Sequence, residues 1–133
     1  MEIGPYVGLL IAPTLLAVFA SVMEYGIKNR GIERNGAVGL RTKATQASDE
    51  AWHAGHEAAL PHFRAMAVLG GITVAASILA ILAAGSTDGN YPAWLLLVPG
   101  IGLLAQVVVV LGGTVAANKA AKAVRNGLGA ADT

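Results

Sequence analysis

The side chains of this sequence best suited to hold a metal or move a proton are its three histidines, since imidazole titrates near neutrality and offers ring nitrogens as ligands. His53 and His56 stand three apart in His53-Ala54-Gly55-His56-Glu57, with His62 close behind. On a helix that spacing can bring two imidazoles to one side, with Glu57 as a neighbouring carboxylate. It is not the H-E-x-x-H of zinc proteases, whose histidines are four apart, so the three read as ordinary interfacial histidines and no metal is expected. A second grouping, Arg41 and Lys43 beside Gly36 and Gly39, has the makings of an anion site, in which backbone N–H groups and a guanidinium share a phosphate or lipid headgroup. The preferred alternative pairs Arg41 with Asp49 or Glu50 and pins the surrounding segment to a helix. No nucleophile with an adjacent base, glycine-rich nucleotide loop or pair of mid-membrane carboxylates occurs, so neither an enzyme nor a cofactor is expected. Cysteine is absent, which excludes thiolate ligands and disulfides.

These residues need elements to position them, and the composition defines what kind. The chain has 133 residues, 55% hydrophobic and 13% charged, with mean hydropathy +0.61; a soluble domain carries roughly a quarter charged residues. The charges are clustered between uncharged stretches, the pattern of a polytopic membrane protein. At about 1.5 Å per residue, about 20 apolar residues cross a hydrocarbon core of about 30 Å. The expected architecture is all-α, a single membrane domain (1–133) with transmembrane helices over about 5–23, 63–84 and 92–117. The first reads as an uncleaved helix and not a signal peptide, because only Glu2 precedes the apolar run. The segment 85–91 is a short polar turn, so the second and third helices should form an antiparallel hairpin.

Orientation follows from the basic residues. Lys28, Arg30, Arg34, Arg41, Lys43, Arg64, Lys119, Lys122 and Arg125 all fall in or beside the loop 24–62 and the tail 118–133. Both segments should therefore be cytoplasmic and the amino terminus outside.

The loop is longer than a helix bundle needs, and connections of that length usually have structure or function of their own. Ser48 is a suitable N-cap, and Asp49 and Glu50 in the first turn complement the positive helix end. The expected element is a short interfacial helix over about 49–60. Trp52, His56 and Leu60 at i, i+4 and i+8 form its aromatic and apolar stripe, with Trp52 as membrane anchor and a turn at Pro61 into the second span.

The run Gly39-Leu40-Arg41-Thr42-Lys43-Ala44-Thr45, then Ser48-Asp49-Glu50-Ala51-Trp52 and Gly55-His56, lies between the first two of three spans. It resembles the SdpI family of bacterial membrane proteins, named for immunity to a sporulation-delaying toxin. The resemblance covers about residues 25–85 and is carried by Asn35, Gly39, Arg41, Thr42, Thr45, Ser48, Asp49, Trp52 and His56. It implies an integral protein of the bacterial inner or plasma membrane that acts in toxin immunity or signal transduction. The loop motif, Lys43 included, would then contact a partner or a headgroup. The namesake both protects the membrane and recruits a transcriptional repressor to it, so a soluble repressor is an implied partner, without direct nucleic-acid contact.

Within the spans, Gln106, Thr73 and Ser77 are the polar candidates. They read as interhelical hydrogen-bonding groups and not as a substrate site. Gly4 and Gly8, spaced G-x-x-x-G, with Gly70, Gly71, Gly112 and Gly113, are the expected helix-packing positions. The lack of ionisable groups at mid-membrane disfavours a transporter. Three functions follow in order: an immunity or signalling protein whose loop docks a partner, a small accessory subunit of a larger membrane complex, and an oligomeric transporter. Membrane lipids and either a homo-oligomer or a larger membrane complex complete the expected partners.

Overall fold

The computed structural model describes residues 1–29 and 31–131; Arg30 of the basic cluster lies outside the described residues. Three long helices account for most of the chain: α1 (Ile3–Asn29), α2 (Asp49–Ala84) and α3 (Leu97–Ala131), the last entered through a 3-10 turn at Ala93–Leu96. Among the described residues there is no strand, only an isolated bridge between Thr87 and Asn90 in the turn that joins α2 to α3. All three helices are long and apolar enough to cross a membrane. Their exposed side chains include Leu82, Val108 and Val115, each at least 68% accessible; in water such faces would be costly, whereas lipid tails solvate them.

The helices outrun the apolar stretches that define them. At its polar end α1 continues to Asn29, supported by an ion pair between Lys28 and Glu24 and by Asn29 Nδ2 donating to the Tyr25 carbonyl at 2.9 Å. The largest departure from expectation is α2. No turn separates an interfacial helix over 49–60 from a second span, because Asp49–Ala84 is one helix with Pro61 inside it. Proline there removes one N–H and leaves the Glu57 carbonyl without its usual partner. Glu57 and Pro61 are both exposed, so water can take that carbonyl and the helix continues.

The chain divides into two compact units, Met1–Ala20 with Ala65–Val109, and Ser21–Arg64 with Val110–Thr133. The first contains only Glu2 and Asp88 as charged side chains. Its buried polar groups act between helices. Gln106 is fully buried and its Nε2 donates to the carbonyls of Pro13 (3.2 Å) and Met66 (3.1 Å), joining α3 to α1 and α2. Tyr6 Oη donates to the Ser77 carbonyl at 2.7 Å. Gly70 makes room for this approach: a Cβ there would lie 3.1 Å from the Pro13 carbonyl and collide with Ala17 and Gln106.

Other expected packing residues have different roles. The Thr73 hydroxyl bonds back to Leu69 of its own helix at 2.8 Å, and Ser77 contributes its carbonyl and not its hydroxyl. For Thr73 the cause is that a hydroxyl on a helix can reach a carbonyl one turn back, whereas the Ser77 hydroxyl is buried without a partner among the described residues. Gly4, Gly8 and Gly71 have nothing within 4 Å of an added Cβ, so among the described residues their sides of α1 and α2 are open.

Candidate functional site

The second unit holds the sequence motif. Ser48 caps α2 as expected, its Oγ accepting the Ala51 N–H at 3.1 Å. The first turns of α2 then present Trp52 and His56, both buried, with ring centroids 4.1 Å apart and planes tilted by 35°. They do not anchor the helix to a membrane. They are covered by the loop 31–48, because a buried indole N–H and imidazole need hydrogen-bond partners and the loop backbone supplies them. Trp52 Nε1 donates to the Ile32 carbonyl at 2.5 Å, and His56 Nε2 accepts the Leu40 N–H at 3.0 Å.

The loop is shaped by its own side chains. Asn35 Oδ1 accepts the N–H groups of Ala37 (2.8 Å) and Val38 (2.7 Å), closing a local turn. Gly39 follows at φ +117, where a Cβ would lie 2.5 Å from His56 Nε2 and 2.9 Å from Trp52 Cη2; only glycine fits both the backbone angle and the space. Thr45, fully buried, donates its hydroxyl to the Leu40 carbonyl at 2.6 Å and accepts the Thr42 N–H at 3.0 Å. The Thr42 hydroxyl in turn donates to Asn118 Oδ1 on α3. Gly55 lets the elements close, since a Cβ there would lie 2.8 Å from Thr45 Cγ2 and 3.2 Å from the Ala117 carbonyl. Gly113 does the same beneath His62, where an added Cβ would lie 2.9 Å from the His62 Cβ, and one on Gly112 would lie 3.4 Å from the same ring.

The expected pin from Arg41 is made by a different arginine. Arg34 Nε donates to Asp49 Oδ1 at 2.8 Å and its Nη1 to the Gln46 carbonyl at 2.9 Å. Among the described residues Arg41 forms no ion pair; it is exposed, as is Lys43. Arg34 lies at the first turn of α2, where Asp49 stands, whereas Leu40, beside Arg41, meets α2 two turns further on at His56. Sequence reasoning also missed Ile32, Leu40, Gln46 and Asn118. Ile32 and Leu40 act through backbone atoms alone, which leave no residue-type signal, and Gln46 acts through its carbonyl and through Nε2, which donates to the Asn35 carbonyl at 3.0 Å.

The histidines do not converge. His53 is exposed, His56 faces the loop and His62 lies over Gly112 and Gly113. Among the described residues no group of three potential ligands could hold a metal. With Leu40 donating to Nε2, the Nδ1 of His56 carries the proton and donates to the Trp52 carbonyl at 2.8 Å. His56 precedes the apolar stretch of α2. Desolvation by burial holds it below its ordinary value of 6.5, partly opposed by that backbone bond and reinforced by the nearby His53.

Three apolar helices and a hydrogen-bonded loop folded onto the polar start of the second define a small helical membrane protein with a structured extramembrane motif. The sequence model of the SdpI/YfhL protein family matches residues 31–115, which spans the loop, α2 and the apolar part of α3. The chain belongs to that family. No curated protein and no solved structure matches it.

Proposed function

We propose that this member of the SdpI/YfhL family is a membrane-resident docking protein in toxin immunity or signal transduction, with the loop 31–48 as its partner-binding element. The observation that carries the reading is the division of labour in that loop. Asn35, Thr45, Trp52 and His56 are spent holding its backbone, while Glu33, Ala37, Val38, Arg41 and Lys43 are left exposed on it. A preorganised surface loses little conformational entropy on binding. Toxin immunity and signalling come from the family resemblance.

In this reading the loop and the end of α3 face the cytoplasm of a bacterial cell and the amino terminus lies outside, because all nine basic residues fall in the second unit's segments. The protein acts by binding and not by catalysis. The partner is a soluble regulator such as a repressor, or a larger membrane complex. The open side of α1 favours the second arrangement: Gly4 and Gly8 have nothing packed against them, and beyond them Val7, Leu10, Ile11, Thr14 and Leu15 line a shallow apolar groove, where small residues let another helix approach closely.

The test is purification of the tagged chain from its native membrane in mild detergent, with mass spectrometry of what accompanies it, for wild type and for Val38→Asp/Arg41→Glu. A stoichiometric partner lost in the variant supports docking through the loop. A partner retained equally by both, or none with either, refutes it.

A further inference from the structure

We infer that Lys43, Lys122 and Arg125 form a binding site for a phosphate group, at the depth where a phospholipid headgroup presents one. Lys43 comes from the loop, while Asn118, Lys122 and Arg125 stand at i, i+4 and i+7 of α3 and so share one side of that helix. With Thr42 and Ala44 they line a single recess of about 260 Å³; about 10–15 Å³ of such space holds one water.

The recess is unusual in its charge. Among the described residues no carboxylate lines it. Among the described residues the ion pairs are Lys28–Glu24, Arg34–Asp49 and Arg64–Glu24, so none of its three cations is neutralised. Because Thr42 donates to Asn118 Oδ1, the group that Asn118 has left to offer is its Nδ2, another donor. The three cations are exposed, so water screens their repulsion in the empty recess, and phosphate oxygens can accept from all three and from the Asn118 amide.

Two bland explanations fall short. Positive charge that only sets topology works anywhere in the flanking segments, and needs no convergence of a loop lysine with two helix residues. Compensation of the helix dipole acts in the last turn, and α3 has no basic residue there. The depth also fits. The apolar run of α3 ends near Ala117, so at about 1.5 Å per residue Asn118 to Lys122 occupies roughly the first 2–8 Å beyond it and the backbone of Arg125 lies about 12 Å out; a headgroup layer is roughly 5–8 Å thick on each face, which the long Arg125 side chain reaches by turning back towards the bilayer.

The experiment uses the full chain in dodecylmaltoside, titrated separately with dioleoylphosphatidylglycerol, dioleoylphosphatidylcholine and inorganic phosphate. Native mass spectrometry reads bound lipid, and the thermal midpoint reads phosphate. Phosphatidylglycerol should bind in preference to phosphatidylcholine, whose phosphate is masked by its choline. Lys122→Gln/Arg125→Gln should weaken that binding about tenfold or more, and Arg64→Gln/Lys119→Gln, which removes the same charge outside the recess, less than about twofold. Lys122→Arg/Arg125→Lys should retain binding, which separates lost contacts from lost folding. A midpoint shift with inorganic phosphate that depends on Lys122 and Arg125, without retained lipid, keeps the site and makes its ligand a soluble phosphate. Equal losses in the two Gln variants, or no binding of either anion, overturn it. No protein partner enters these readouts, so failure here leaves the docking proposal standing.

Discussion

His56 accepts the backbone N–H of Leu40 at its Nε2, 3.0 Å away, and so holds the loop with the one ring nitrogen that protonation would convert from acceptor to donor. The bond exists only while the imidazole is neutral.

The loop should therefore loosen in acid. Burial lowers the folded pKa of His56 below its ordinary 6.5, so the unfolded loop takes up the proton first. Stability is fully present above 6.5 and is lost as pH falls through the lower folded value. The hydrogen-exchange protection of residues 38–45, taken relative to the intrinsic amide rate at each pH, should fall between about pH 8 and pH 5, and His56→Gln should flatten that profile. An unchanged profile in wild type would show that the bond is not holding the loop.

Gly39→Ala should disrupt the same region by a different route. It combines a left-handed backbone angle with a collision against His56 and Trp52, a cost of about 1–3 kcal/mol from the backbone alone. Gly36→Ala, with nothing within 4 Å of its Cβ, should be tolerated. Limited proteolysis of the loop, compared between the two, checks the pair.

Gln106→Leu should weaken the first unit only modestly, by about 0.6–1.7 kcal/mol, as interhelical hydrogen bonds within membranes do. The substitution also removes the Oε1 that has no partner, which offsets part of the loss. Gly70→Val should cost more, because its collision partners include the Pro13 carbonyl, which cannot swing aside. Unfolding midpoints in mixed detergent measure both, and the reverse order would argue that the amide and not the close approach holds the helices.

A reporter active only outside the cell should work when fused before Met1 or within Asp88–Asn90, and fail when placed in the loop or after Arg125. The opposite pattern would invert the orientation and move the docking loop to the other side of the membrane.

The spans were legible because a bilayer makes one demand of composition, and uninterrupted apolar stretches answer it. Ser48 was legible as a cap for a similarly local reason. What resisted was geometry between distant residues. Trp52 and His56 stood out as a stripe, but nothing in that spacing distinguishes a membrane surface from a loop as what covers them. Arg34 and Arg41 are chemically equal candidates for Asp49, and only the folded loop, which sets Arg34 at Asp49 and Leu40 at His56, chooses between them. Gly4-x-x-x-Gly8 matches a packing motif yet meets nothing among the described residues, since spacing does not say which side of a helix faces a neighbour. Pro61 marks a boundary by type, while its exposed surroundings allow the helix to run on.

The bonds that hold the loop have short reach along the chain: 20 residues for Trp52 to Ile32, 16 for His56 to Leu40 and 15 for Arg34 to Asp49. Contacts so local close quickly and need no distant segment. During synthesis the loop has all of these partners once residue 56 has emerged, before α3 exists; only the link from Thr42 to Asn118, across 76 residues, must wait. The recess beside that link is therefore the last part of the second unit to be completed, and any ligand held there is taken up by a chain whose loop is already formed.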